Sequence, residues 1–170
     1  KIAALTVFIR FLYVPFFDLI DQWQMILVFL SIASMLFGAI AAIGQKNIKR
    51  LIAYSSIGHI GYALAGVASA SNDGIQSSVI YLTIYIVMNL GLFSCLLMLR
   101  RNDNYYESID DLSGLSKNHP ILSFSLLVIL FSLAGIPPLA GFFAKFYIFK
   151  AVIEQSMYFL AIVGLLSTVI

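Results

Sequence analysis

Ser132-Leu133-Ala134-Gly135-Ile136-Pro137-Pro138-Leu139-Ala140-Gly141-Phe142-Phe143-Ala144-Lys145 is an apolar run broken by a glycine and two prolines, with a lysine on its far side. A proline inside a helix removes a backbone donor and clashes with the preceding turn, so the run reads as a helix broken at Gly135, Pro137 and Pro138. Carbonyls freed in this way are tolerated at membrane depth only against protein or a wet cavity. A lysine at the bilayer centre costs roughly 2.5 to 3.5 kcal/mol on insertion scales, so it persists where it faces a protein or water-filled interior. The break and Lys145 are therefore expected to share one environment.

Working outward, the chain is 61% hydrophobic, 14% aromatic and only 11% charged, with a mean hydropathy of +0.98. That balance belongs to an integral membrane protein rather than a soluble domain. A spanning helix needs about 20 apolar residues, and six segments meet or approach that length: 1–17, 24–44, 51–70, 76–99, 121–153 and 157–170. The expected fold class is all-α, a polytopic bundle of transmembrane helices. Segment 121–153 would run about 50 Å as a straight helix, too long for one span, and the break at Gly135 to Pro138 accounts for the excess. Both ends fall inside apolar runs, which reads as a piece of a longer polytopic chain. The first segment lacks the basic start and small-residue cleavage site of a signal peptide.

Loop charges give the orientation. The loop 45–50 carries Lys46, Lys49 and Arg50, and the loop 100–120 carries Arg100, Arg101 and Lys117 beside Asp103, Glu107, Asp110 and Asp111. The alternate loops carry Asp18 and Asp21, then Asp73, then Glu154. The excess of Lys and Arg places the first pair of loops on the inner side.

Several residues at membrane depth could carry chemistry. Lysine can exchange a proton where arginine cannot, so Lys145 is a candidate for proton transfer; the bland alternative, a lysine reaching the headgroups along its stem, suits Lys150 better. Lys1 is a second candidate, either intramembrane or interfacial. His59 lies near the middle of the third segment, either a proton shuttle or a neutral packing residue. Tyr81, Tyr85 and Asn89 recur every four residues on one helix face. With Tyr62 they are a candidate polar lining for a water chain, or simply interhelical hydrogen-bond partners. Ser34, Gly38 and Ala42 form a small-residue stripe read as helix packing. The single Cys95 offers no disulfide, and no metal-ligand spacing, phosphate loop, dinucleotide fingerprint or nucleophile elbow is present. The basic loops are too short to suggest nucleic acid, so none is expected as a partner.

Two stretches go further. Gln45-Lys46-Asn47-Ile48-Lys49-Arg50-Leu51-Ile52-Ala53-Tyr54-Ser55-Ser56-Ile57-Gly58-His59-Ile60-Gly61-Tyr62 resembles the signature of the antiporter-like subunits of respiratory complex I and of their relatives in multisubunit cation/proton antiporters and membrane-bound hydrogenases. Residues 132–147 resemble the broken-helix segment of the N-type branch of that family, called subunit 2 in mitochondria. The resemblance covers essentially the whole chain.

What it implies is a fold of about fourteen helices built on two inverted five-helix repeats, each with one broken helix, of which this sequence would run from the eighth helix to part of the thirteenth. Lys145 matches the lysine of the broken twelfth helix, and Lys1 the central lysine of the eighth. The M-type branch carries a glutamate where Lys145 stands. The L-type branch has paired histidines and a lysine where this chain has Tyr81, Tyr85 and Asn89, so those residues do not inherit L-type roles.

The implied function is proton translocation through a subunit of NADH:quinone oxidoreductase, with Lys1 a central relay, Lys145 leading to or from the outer half-channel and His59 an auxiliary connection. Catalytic redox residues, cofactors and metals are expected to be absent from this chain. NADH, FMN, iron–sulfur clusters and quinone would be held by other subunits. The implied partners are the other membrane subunits of complex I and the lipid bilayer. The implied location is a bacterial plasma membrane or a mitochondrial inner membrane. A cation/proton antiporter or hydrogenase subunit, or a structural membrane subunit without a proton path, are the alternatives.

Overall fold

The computed structural model describes residues 2–169 apart from 102, 103 and 106. Lys1, a candidate relay, lies outside the described residues. Helices α1 (Ile2–Tyr13), α2 (Ile20–Ile43), α3 (Ile48–Ala68) and α4 (Asn72–Met98) are followed by a one-turn helix, α5 (Leu115–Asn118). The broken pair α6 (Pro120–Ala134) and α7 (Ala140–Glu154) comes next, then α8 (Tyr158–Val169). A two-residue antiparallel pairing of Arg100–Arg101 with Asn104–Tyr105 interrupts the inner loop. Phe17–Ile43, Ile48–Ala68 and Asn72–Met98 are each long and apolar enough to cross a membrane. Large side chains such as Met25, Phe29, Val87, Leu97, Ile121 and Phe124 stand exposed on the outside of the bundle, as lipid-facing positions should.

The helices start earlier than hydropathy alone suggests. Asn47 caps α3 by accepting from the backbone N–H of Lys49 and Arg50, at 3.0 and 3.2 Å, so those charged residues form the first helical turn instead of a loop. Ser71 does the same for α4 through the Gly74 N–H. Such caps satisfy donors that have no partner inside the helix. At the other end of this stretch, Pro15 falls just beyond α1, and the chain turns through a short 3₁₀ segment, Phe17–Leu19, into α2.

Helix α3 is the axis of the bundle, with almost every residue from Ser56 to Ala68 buried. Its seam with α2 is tight because glycines remove side-chain bulk. A Cβ on Gly38 would lie 2.5 Å from the Gly58 backbone nitrogen, and one on Gly61 would meet Met35 Cγ at 2.8 Å. The expected packing stripe through Ser34, Gly38 and Ala42 is thus rotated: the buried face of α2 runs Trp23, Leu27, Ser31, Met35, Gly38. Met35 sets that register by filling the hollow left by Gly61, and Ser31 Oγ donates to the Gly61 carbonyl at 2.7 Å.

The two basic loops meet. Ile48 N–H donates to the Glu107 carbonyl and Ile109 N–H to the Lys46 carbonyl, both at 2.9 Å, and Lys49 pairs with Glu107 at 2.8 Å. They therefore lie on one side of the bundle, as their shared charge requires.

Candidate functional site

The break between α6 and α7 follows from its sequence one bond at a time. In an unbroken helix the carbonyls of Leu133 and Ala134 would accept from residues 137 and 138, but both are prolines and have no N–H. Gly135 ends α6 with φ +89, the left-handed conformation that glycine adopts without steric penalty. Its N–H closes back on the Phe131 and Ser132 carbonyls at 3.1 and 3.0 Å. The chain then turns through Pro137 and Pro138 and restarts at Ala140.

Two side chains complete the break. Ser132 Oγ accepts from the N–H of Gly141 at 3.1 Å, giving the first turn of α7 a partner on α6. Lys145 reaches back from α7 and its Nζ donates to the Ala134 carbonyl at 2.9 Å. This is the carbonyl that Pro138 leaves unpaired. The Lys145 side chain is buried, with 8% of its surface exposed, so it does not reach the headgroups; Lys150 is the exposed one, paired with Glu154 at 3.7 Å. A bare carbonyl and a buried amine are each costly in a membrane interior, and here they satisfy one another.

Lys145 meets the candidate residues of α3 and α4 in a single cluster. Its Nζ stands 4.9 Å from the centre of the Tyr62 ring. Tyr62 shares a hydrogen bond of 2.8 Å with Ser167 on α8. The His59 ring lies 6.3 Å from that of Tyr62 and 4.8 Å from that of Tyr85, and His59 Nδ1 is 2.6 Å from the Tyr81 hydroxyl. Which of those two atoms holds the proton depends on the imidazole tautomer. Tyr81 and Tyr85 stack with ring planes 10° apart, the outcome of their four-residue spacing. His59, Tyr62, Tyr81 and Tyr85 are all buried.

A cavity of about 570 Å³ lies beside the cluster, lined by His59, Tyr62, Tyr85, Asn89, Lys145 and Ser167 among others, and extends to Gln45 at the basic loops. Asn89 is held less directly than its spacing suggests: its amide donates to the Tyr85 backbone carbonyl at 3.0 Å.

Lys145, His59, Tyr62, Tyr81 and Tyr85 are thus brought together, Gly135 touches the Lys145 side chain, and Pro137 and Pro138 form the turn that frees its acceptor. Ser132 and Ser167 complete the site without having been singled out in the sequence. A serine on an apolar helix gives no local sign of whether it bonds its own preceding turn or a residue ten or a hundred positions away, and no sequence signal distinguishes these two. Chemically, the site has a buried amine with no carboxylate among its contacts in the described residues, a tautomerisable imidazole and two phenols, Tyr62 and Tyr85, on a cavity wall, with the Tyr81 phenol bonded to the imidazole.

Comparison with known proteins agrees with this architecture. The chain is 84% identical over 170 residues to the NADH-quinone oxidoreductase subunit N of Pelagibacter ubique, covering 100% of this chain and 36% of that protein. It superposes with a TM-score of 0.89 and 28% identity on a chain of the Mrp complex from Dietzia sp. DQ12-45-1b, covering 98% of this chain and 31% of that one. A chain of the Thermus thermophilus respiratory complex I with bound NADH gives a TM-score of 0.78 at 30% identity, over 88% of this chain and 32% of that one. The chain spans about a third of the length of the curated relatives it matches. A family model described as NADH:quinone oxidoreductase/Mrp antiporter, transmembrane, matches residues 1–170, and with the broken helix and its lysine in place the chain belongs to that family.

Proposed function

We propose that this chain is part of a proton-translocating N-type subunit of NADH:quinone oxidoreductase, working beside other membrane subunits in a bacterial inner membrane. The observation that carries the reading is the Lys145 Nζ on the Ala134 carbonyl at the helix break. An amine held by a neutral carbonyl, with no carboxylate at contact distance among the described residues, can gain or lose its proton without breaking a strong ion pair there. The adjoining cavity has polar groups and room enough for water, through which such a proton would pass. His59 and Tyr81 share a 2.6 Å hydrogen bond whose direction follows the imidazole tautomer, and together they would extend the path to α4. In a low-dielectric interior a charge arriving on one group strongly alters its neighbours, which is how redox work elsewhere would drive these steps. NADH oxidation, FMN, the iron–sulfur clusters and quinone reduction would belong to other subunits. Lys1, by its place in the sequence, would act as a second relay.

The Mrp-type antiporter is the second reading, supported by the TM-score of 0.89. Sealed inverted vesicles containing the full-length protein in its complex separate the two. NADH-driven proton uptake unaffected by sodium supports the first reading. Sodium-dependent proton flux without NADH overturns it in favour of the second.

A further inference from the structure

Tyr62 holds a position that neither its sequence neighbourhood nor the lysine's own chemistry explains. Its ring is fixed on two sides. The hydroxyl shares its 2.8 Å hydrogen bond with Ser167, and the ring meets Phe149 nearly edge-on, 6.1 Å between centres with planes 88° apart. The direction of the hydroxyl bond can be assigned. Ser167 Oγ also lies 2.8 Å from the Gly164 carbonyl, which can only accept, so the single Ser167 proton goes there. Tyr62 must then donate to Ser167, and its hydroxyl is turned away from Lys145. What the lysine meets is the ring, 4.9 Å from its centre.

Among the described residues, the Lys145 Nζ meets the Ala134 carbonyl and the Tyr62 ring, and its stem runs beside the Gly135 backbone. The His59 ring, 6.3 Å from that of Tyr62, is a titratable group within electrostatic reach of Lys145. Lys145 makes no ion pair with a carboxylate among the described residues. Among the described residues, the ring and the Ala134 carbonyl are the contacts of Nζ that favour the ammonium over the neutral amine, the ring through attraction of a cation to the electron-rich aromatic face, an effect that strengthens when the pair is desolvated. Unlike a carboxylate, a ring takes up no proton and forms no ion pair that must be broken when the ammonium is discharged.

We propose that Tyr62, oriented by Ser167, is a positioning residue whose ring face sets how firmly Lys145 holds its proton in the translocation cycle. This deepens the proposed function and rests on Lys145 being a proton-transfer group. Loss of the ring would make the lysine discharge at lower pH, whereas loss of the hydroxyl alone would leave the face in place.

The test is the pH profile of NADH-driven proton uptake in sealed vesicles for Tyr62→Phe, Tyr62→Leu and Ser167→Ala in the full-length subunit, with assembly measured by native gel. Lys145→Ala serves as reference. Tyr62→Leu is expected to move the alkaline limb of the profile down by roughly one pH unit, the size of a desolvated cation–aromatic contact. Tyr62→Phe and Ser167→Ala should shift it by less than half as much. If Lys145→Ala abolishes uptake while assembled Tyr62→Leu keeps the wild-type profile, the positioning role is overturned and the proton-transfer reading stands. If Lys145→Ala pumps normally, the underlying reading itself fails. Should Tyr62→Leu not assemble, a Tyr62→Phe profile shifted as far as a full unit would overturn the ring-face argument, and a small shift would support it.

Discussion

Replacing Gly135 by alanine strikes the break where backbone and lysine touch. Gly135 has φ +89, and an L-residue held in that left-handed region is destabilised by about 1–2 kcal/mol. The added Cβ would also lie 3.1 Å from Lys145 Cδ and 3.3 Å from its Nζ, so the lysine must move by a few tenths of an ångström. Its bond to the Ala134 carbonyl, 2.9 Å long, belongs to the class with a charged partner, which contributes roughly 1.5–3 kcal/mol.

Gly114→Ala supplies the comparison, because Gly114 has φ +78 but nothing within 4 Å of its missing Cβ. Both variants carry the backbone penalty and only Gly135→Ala disturbs Lys145. The assay is proton uptake per NADH oxidised in sealed vesicles, normalised to assembled complex on a native gel. Gly114→Ala should pump at the wild-type ratio. Gly135→Ala should assemble in reduced amount and lose most of its uptake per complex. Equal ratios for the two variants would refute the claim that the Gly135 backbone and Lys145 form one functional unit.

Other substitutions probe the supporting structure. Gly38→Val would drive side-chain atoms into the α3 backbone, where even a Cβ stands 2.5 Å from the Gly58 nitrogen. Overpacking of this kind costs about 1–3 kcal/mol or more, so assembled protein on a native gel should fall sharply, while Gly44→Ala, with open space around it, should leave the level unchanged. Ser132→Ala leaves the Gly141 N–H without its acceptor, a loss of about 1–3 kcal/mol. Amide exchange at the start of α7 should accelerate more than in α3; uniform exchange in both would contradict the bridging role. On the inner loops, the Lys49 ammonium hydrogen-bonds Glu107 and holds its carboxyl below the ordinary 4.5. A depressed carboxyl stabilises the docked loop above its unfolded value and loses that contribution as pH falls through the folded value. Protection of the Ile48 and Ile109 amides, taken against their intrinsic exchange rates, should therefore fall on acidification below that ordinary value, and less so in Glu107→Gln, which lacks the titrating group.

The membrane class, the broken helix and the buried lysine were legible because each is a local pattern. Apolar length marks spans, and paired prolines delete donors wherever they stand. Helix starts were read too late at Ile48 and Asn72, since a cap draws charged or polar residues into the first turn. The α2 packing face is legible only at Gly38, for a different reason: a stripe of small residues is visible in one helix, whereas the hollow that receives Met35 belongs to Gly61 on another. Tyr81 and Tyr85 could be placed on one face by spacing, but their convergence on His59 from a separate helix could not. The contact between Tyr62 and Ser167, more than a hundred residues apart, is purely tertiary.

The central claim is that Lys145 passes a proton, and the direct measurement is the proton-to-NADH ratio of the assembled complex carrying Lys145→Arg or Lys145→Ala, in sealed vesicles beside wild type. Arginine keeps the positive charge but does not give up its proton, so charge and exchange are separated. Normal assembly on a native gel is expected, with uptake strongly reduced in both variants. A wild-type ratio in Lys145→Arg would contradict the claim, because a fixed charge at the helix break would then be enough.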